Sequence, residues 1–421
     1  MNIKISISTL CLAISSMLVT SCSNGSIKCT LKGEVIDRPE SNQLILVKEG
    51  EDSRIHGVYI PINDGKFEYV LNCDHEELYN LIFQDEFSGR AWKPVEFISE
   101  NGVINFTLYP FDLFDNNIVK GGKLNEERLN FLTEERNMFE SFAYSYNVRE
   151  EQLEKDGNYY TPEAQLLMDK INAATDNNER RVLNEQFQKL RNEKFHITPA
   201  AKELVASGDS MTLVVFNRRL QYAKEHTNIV GYSILISTIK DVVRDFKSDI
   251  LPYSEVFQTV FEPKYPNHPY TAKMIDILTG SSLKAGAPFI DFTAVDFTGK
   301  QVRLSERIAG KRTVLHLWAS WCGPCRKEGM ELIPVYEEFH DKGFVVIGVA
   351  REKSISTAEA AVKQDKYPWE NLVELNDTEQ IWNKYGIGNA GGSDFLIDEN
   401  GIIVVVAPSI EEIRDFLTSK R

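Results

Sequence analysis

The chain has 421 residues, of which 42% are hydrophobic and 10% aromatic; this composition is ordinary for globular protein and argues against disorder. At roughly 100–200 residues per domain, the length allows about two to four domains. A formal net charge of −15 and the lack of any basic block in the sequence exclude nucleic acid as an expected partner, because phosphate attracts clustered Lys and Arg.

The first 22 residues have the order of a secretory signal: Lys4 precedes an apolar run of about fifteen residues, and small residues follow it. That run is short for a membrane span, which needs about 20 apolar residues. The ending Val19-Thr20-Ser21-Cys22 resembles a bacterial lipobox, and this resemblance implies that Cys22 is lipidated and begins the mature chain. We therefore expect residues 1–22 to be a lipoprotein signal peptide and the protein to be lipid-anchored at the periplasmic face of a bacterial membrane. The alternative is a plain signal peptide with an incidental cysteine.

Residues 23–112 predict an all-β sandwich, because short segments rich in β-branched and aromatic residues alternate with turns. Two of these turns, at residues 63–65 and 100–102, end in glycine, which accepts positive φ. Cys29 lies on the first strand and Cys73 ends the fourth. Cys29 and Cys73 either form a disulfide or are two separate thiols that are buried like small apolar side chains.

Residues 113–284 change to a helical period, with leucine and phenylalanine at spacings of three to four and charged residues between them. Gly208 and Gly280 are the predicted helix stops. The charge runs are typical of solvated helix faces. We expect an all-α domain that acts as a spacer or faces a partner.

Residues 285–421 predict an α/β domain. Gly286-Ala287-Pro288 opens it, and a hairpin follows with its turn at Thr298-Gly299. A buried strand then leads into a helix that extends to about His340. The complete predicted order after the hairpin is β-α-β-α-β-β-α.

The chemistry of this domain is concentrated in Trp321-Cys322-Gly323-Pro324-Cys325, at the junction of strand and helix. A cysteine at a helix N-terminus is stabilised as a thiolate by unpaired N–H groups and the helix dipole, so we expect Cys322 to be the exposed nucleophile. Cys325, one turn later and more buried, would resolve the mixed disulfide. Pro324 suits the first helical turn, and Trp318 and Trp321 would flank the site. A zinc site would need a second ligand pair that the sequence does not offer, so we expect no metal and no cofactor.

With its motif WASWCGPCRKE, this domain resembles the TlpA/ResA-type thioredoxin-like reductases of the bacterial envelope, which belong to the redoxins, or AhpC/TSA-like proteins. The preceding β domain also resembles one of unassigned function that often accompanies such domains. The resemblance implies a thioredoxin fold, protein thiols and disulfides as partners, and a membrane-bound electron donor. It also implies that Glu328 is an acid–base group near the dithiol. A solvated helix glutamate is the alternative.

Two further positions bear on the site. His316 occupies the place where many thioredoxins carry a buried aspartate, and it is either a proton relay or a core imidazole. Gly392 stands where the family usually has a cis-proline. A non-proline cis bond costs about 2.5–4 kcal/mol, so we expect a trans, more mobile loop and weaker substrate binding.

The leading hypothesis is therefore a membrane-tethered thiol–disulfide oxidoreductase that reduces protein disulfides. One alternative is a non-catalytic, thioredoxin-like binding lipoprotein. Another is a peroxiredoxin-like peroxidase. That chemistry requires a threonine a few residues before a lone cysteine, and this chain has Ala319, Ser320 and Trp321 there instead.

Overall fold

The computed structural model describes residues 27–89, 91–244, 249–389 and 391–419. The predicted signal peptide and the lipidation site Cys22 lie outside these residues. Within the described part of the chain, no helix combines the length and the apolarity that a membrane crossing requires.

The N-terminal domain is the predicted β sandwich, made of two four-stranded sheets with strand orders β4-β1-β7-β8 and β3-β2-β5-β6. Alternate residues of the strands, such as Leu31, Leu46 and Phe97, are buried between the sheets. The strands are β1 Ile27–Val35, β2 Gln43–Lys48, β3 Val58–Pro61, β4 Lys66–Cys73, β5 Leu78–Phe83, β6 Val95–Ile98, β7 Gly102–Leu108 and β8 Ile118–Lys120. Two short helices, α1 Ser53–His56 and α2 Gln84–Ser88, follow β2 and β5.

The sandwich extends further than the predicted boundary at residue 112. After a 3₁₀ turn over Phe111–Asn116, β8 pairs antiparallel with residues 105–107 of β7. A strand of three residues is too short to show an alternating pattern, so the sequence did not reveal it.

Cys29 and Cys73 are free, buried thiols in this structure, so the disulfide that the sequence left open is not formed. In the β1–β4 register Cys29 lies opposite Leu71, and Cys73 lies opposite Ile27. The cysteines are thus diagonal neighbours, about 7–8 Å apart in such a sheet, which is beyond the reach of most disulfides. Burial raises the pKa of the Cys29 thiol to about 11.

The central region is helical, as predicted. Its helices are α3 Lys123–Lys155, α4 Pro162–Ala173, α5 Asn177–Asn192, α6 Pro199–Glu225, α7 Ile229–Arg244, α8 Leu251–Val256, α9 Glu262–Lys264 and α10 Pro269–Ser281, with a π-helical turn at Phe257–Phe261. The predicted stop at Gly208 is wrong, because α6 continues through it. A Cβ atom on Gly208 would lie 3.0 Å from Cε2 of Tyr146, so the glycine allows α6 to approach α3 closely.

The C-terminal domain is the predicted α/β thioredoxin fold, a seven-stranded sheet in the order β10-β9-β13-β12-β11-β14-β15. Its strands are β9 Thr293–Val295, β10 Gln301–Arg303, β11 Arg312–Trp318, β12 Phe344–Glu352, β13 Glu370–Leu375, β14 Ser393–Ile397 and β15 Ile403–Val406. Its helices are α11 Leu304–Ile308, α12 Gly323–Phe339, α13 Ile355–Asp365, α14 Ile381–Lys384 and α15 Ile410–Thr418. The predicted order omitted β13, which pairs parallel with β12.

A partly buried ion cluster joins the sandwich to the helical region. The carboxylate of Glu49 lies 2.8 Å from Nζ of Lys240 and 3.0 Å from Nζ of Lys273. Burial alone would raise the pKa of Glu49, but the two ammonium groups lower it to about 2. The carboxylate therefore stays ionised and holds the two domains together near neutral pH.

Candidate active site

The Cys-x-x-Cys motif lies where β11, an inner strand of the sheet, leads into α12. Every residue of β11 after Arg312 is buried, so the strand holds the motif against the domain core. Cys322 is the N-cap of α12, and its Sγ accepts a hydrogen bond from the backbone N–H of Cys325 at 3.3 Å. Pro324 lies in the first turn, as expected from its fixed φ and missing N–H.

Cys322 and Cys325 form a disulfide with a Cα–Cα distance of 5.4 Å, so the structure shows the oxidised state. The residues are 4% and 3% exposed, respectively. The expectation of an exposed Cys322 is therefore wrong for this state. One cause is the loop before β14, because a Cβ atom on Gly391 would lie only 3.6 Å from Sγ of Cys322.

The same loop places Gly392 against the second sulfur. The backbone N–H of Gly392 donates a hydrogen bond to Sγ of Cys325 at 3.0 Å. Across the described ranges every peptide bond is trans, as predicted for this position. A proline at position 392 has no N–H and would lose this hydrogen bond. At the position where the family usually has a proline, this chain thus has a backbone N–H that contacts Cys325.

The other predicted neighbours of the motif differ in exposure. Trp321 is partly exposed, and Gly323 and Pro324 are exposed. Trp318 is fully buried in the core cluster that contains both cysteines, so it lies beneath the site and does not flank its surface.

His316 is 1% exposed, and its Nδ1 lies 2.6 Å from Oδ1 of Asp394. Its Nε2 has no hydrogen-bond partner within the described part of the chain. Its ring is also stacked near Trp318. Sequence reasoning missed Asp394, which lies opposite His316 in the register of β11 and β14; a carboxylate at the start of an otherwise apolar strand was the usable signal.

Glu328 is an exposed residue of α12, close enough to this pair to interact with it electrostatically. Partial burial raises the pKa of its carboxyl, and the charge of Asp394 raises it further. The structure thus places Glu328 within electrostatic range of both His316 and Asp394. The described residues contain no group of three or more His, Cys, Asp or Glu side chains arranged to hold a metal ion.

One residue beside the motif comes from the N-terminal domain. The guanidinium carbon of Arg54, in α1, lies 3.3 Å from the centre of the Trp321 ring. Nothing in the sequence indicated this contact, since it joins two domains that are far apart along the chain.

Comparison with known proteins agrees with this architecture. The model of the AhpC/TSA family matches residues 285–406, and that of a domain of unknown function, DUF4369, matches residues 29–128. Both matches fit the redoxin domain and the preceding β domain expected from the sequence.

The curated relatives cover the same domain. The thiol-disulfide oxidoreductase ResA of Bacillus thuringiensis is 29% identical over 122 residues, which are 29% of this chain and 68% of that protein. ResA of Geobacillus thermodenitrificans is 26% identical over 142 residues, which are 33% of this chain and 79% of that protein. The crystal structure of the thioredoxin domain of a thiol-disulfide oxidoreductase from Bacteroides vulgatus matches with 27% identity and a TM-score of 0.30, covering 32% of this chain and all of that one. Residues 285–406 therefore form a thioredoxin-like redoxin domain that matches the AhpC/TSA family model, and the curated relatives of this domain are thiol–disulfide oxidoreductases.

Proposed function

We propose that this protein reduces disulfide bonds of other proteins through Cys322 and Cys325. The observation that carries the proposal is the placement of the pair: Cys322 caps α12, and Cys325 is bonded to it from the first turn. Four N-terminal N–H groups of a helix lack intrahelical partners, so this position favours an anionic sulfur.

The reaction begins with the reduced pair. The Cys322 thiolate attacks one sulfur of a substrate disulfide, which forms a Cys322–substrate disulfide and releases the other substrate sulfur as a thiolate. Cys325 then loses its proton and attacks Sγ of Cys322, so that the Cys322–Cys325 disulfide forms and the second substrate thiolate leaves. The substrate gains two electrons, and the enzyme loses two.

Two groups assist the second step in this proposal. The N–H of Gly392, 3.0 Å from Sγ of Cys325, stabilises that sulfur as it becomes an anion. Glu328 is the candidate for the proton acceptor, since a carboxyl with a raised pKa is better matched to a thiol near neutral pH. His316 is the second candidate, because Asp394 holds its Nδ1 and its Nε2 has no hydrogen-bond partner within the described part of the chain.

The enzyme must be reduced again by a dithiol. We propose a membrane-bound dithiol protein as the donor and a lipid anchor on Cys22 that keeps the enzyme beside it, at the periplasmic face of a bacterial membrane. The lipobox-like ending of the leader supports the anchor, and the motif of a reducing thioredoxin supports the direction of electron flow.

The enzymatic proposal is tested by reduction of insulin disulfides with dithiothreitol as the electron donor. The wild-type protein is expected to accelerate reduction, Cys322→Ser to lose all activity, and Cys325→Ser to accumulate a mixed disulfide. A folded wild-type protein without activity would favour a binding role, and rapid peroxide consumption would favour a peroxidase.

The anchor is tested separately. Cells expressing the full chain are labelled with a radioactive fatty acid and fractionated. Wild-type protein is expected to carry label and to sediment with membranes, whereas Cys22→Ser is expected to do neither. Labelled Cys22→Ser protein would refute the assignment.

A further inference from the structure

The N-terminal sandwich contributes a side chain to the edge of the redox site. Arg54 stacks on Trp321, the residue before Cys322. Its Nη2 also donates a hydrogen bond to the carbonyl oxygen of Asn389 at 2.5 Å. Asn389 precedes by two residues Gly391, which lies against the disulfide. One guanidinium thus contacts both segments that border the sulfurs.

A buried network fixes this guanidinium. Asp52, which is 1% exposed, accepts hydrogen bonds from Nε and Nη2 of Arg54 at 2.8 and 2.7 Å. Asp52 also lies 3.4 Å from Arg351, a buried residue that is bound to Asp377 at 2.5 Å and to Oδ1 of Asn389 at 2.8 Å. The contact between the N-terminal sandwich and the C-terminal domain is therefore made by paired charges and hydrogen bonds.

The cationic end of this network reaches solvent beside Trp321. The side chain of Arg54 is 31% exposed, whereas that of Asp52 is 1% exposed. His56, from the same helix, is partly exposed, and a hydrogen bond with Asp377 raises its pKa. A protein that approaches Cys322 across Trp321 therefore meets the guanidinium of Arg54, although Glu51, which interacts with His56, adds a negative charge nearby and the whole chain has a net charge of −15.

We propose that Arg54 is a specificity-determining residue, which binds an acidic side chain adjacent to the disulfide of a protein substrate. This inference rests on the proposed function and adds a substrate class to it. Asp52 occupies the Nε and Nη2 edge of the guanidinium, and Nη1 lies outside the contacts described above, where it can donate a charge-assisted hydrogen bond to a substrate carboxylate. Ion pairing at this position would hold the substrate disulfide beside Cys322.

The test compares two peptides that carry the same disulfide, one flanked by Glu and the other by Lys. The wild-type protein is expected to reduce the Glu peptide with a kcat/KM about three- to tenfold higher, mainly through KM. Arg54→Ala is expected to lose this preference, Arg54→Lys to retain part of it, and Arg54→Glu to reverse it. Arg244→Ala is the matched control, because that arginine lies at the end of α7, is 81% exposed and pairs with Asp241.

The outcomes separate the two proposals. If the wild-type protein reduces neither peptide nor insulin, the proposed function fails, and this inference fails with it. If it reduces both peptides equally, or if Arg54→Ala slows both by the same factor, Arg54 has only a structural role and this inference alone is overturned. The wild-type comparison and the Lys variant remain informative even if Arg54→Ala does not fold.

Discussion

The loop beside the disulfide allows a test of close packing with a matched pair of glycines. A Cβ atom on Gly392 would lie 1.8 Å from the carbonyl oxygen and 2.8 Å from the carbonyl carbon of Leu317, and 3.1 Å from Cα of Trp318. These are main-chain atoms of β11, which is paired on both sides, with β12 and β14, so they cannot yield easily. Gly392→Ala must therefore displace the loop and weaken its hydrogen bond to Cys325.

We expect Gly392→Ala to lower the free energy of unfolding of the C-terminal domain by about 1–3 kcal/mol, the usual range for overpacking. Gly391→Ala is the control, since its Cβ would meet Sγ of Cys322 at 3.6 Å and Sγ of Cys325 at 4.0 Å, which are ordinary contacts. Neither glycine has positive φ, and both substitutions restrict the unfolded chain alike. The difference between the two variants in the free energy of unfolding therefore isolates the steric effect.

The measurement is urea unfolding of the oxidised protein followed by tryptophan fluorescence, which reports on this domain because only Trp92 of the five tryptophans lies outside it. Equal unfolding midpoints for the two alanine variants would refute the close packing of Gly392 against β11.

Three other changes test the buried charges. Burial raises the pKa of Glu374 to about 7, so the stability of the wild-type protein falls as pH rises from the unfolded pKa near 4.5 to 7. Glu374→Gln lacks this titration. The free energy of unfolding of the variant minus that of the wild type, measured in urea, should therefore be up to about 3 kcal/mol more favourable at pH 8 than at pH 4. The opposite sign is expected for Glu49, because its lowered pKa gives stability that is present above pH 4.5 and is lost as pH falls towards 2. Glu49→Gln should lower the free energy of unfolding most at pH 7, by about 1–3 kcal/mol. A loss of the same size at every pH would contradict an ionised cluster. Asp394→Ala leaves the buried His316 ring without its partner and should cost about 1–3 kcal/mol in the same assay, while unchanged stability would show that the pair is not formed.

The three-part organisation of the chain was predictable from local patterns. Alternating residues between turns indicated the sandwich, a period of three to four indicated the helices, and the strand–motif–helix junction indicated the C-terminal fold. Where prediction failed, a local signal was weak or misleading. β8 is too short to show a period, β13 carries Glu and Asn among its apolar residues, and Gly208 resembles a helix stop but serves the packing of α6 on α3.

Within the site, the sequence located the two cysteines, because a Cys-x-x-Cys at a helix start is set by residues adjacent along the chain. It also indicated that Gly392 follows a trans bond. The burial of Cys322 and the bond from Gly392 to Cys325 depended on how a distant loop closes over the motif, which no local pattern encodes.

The amino-acid sequence alone thus determined the class of each domain and the position of the dithiol, since both follow from periodicity and from neighbours in the chain. Only the tertiary structure decided which groups surround that dithiol. The His316–Asp394 pair and the contact of Arg54 with Trp321 join residues from separate elements, and their partners are selected by packing and by the pairing of buried charges.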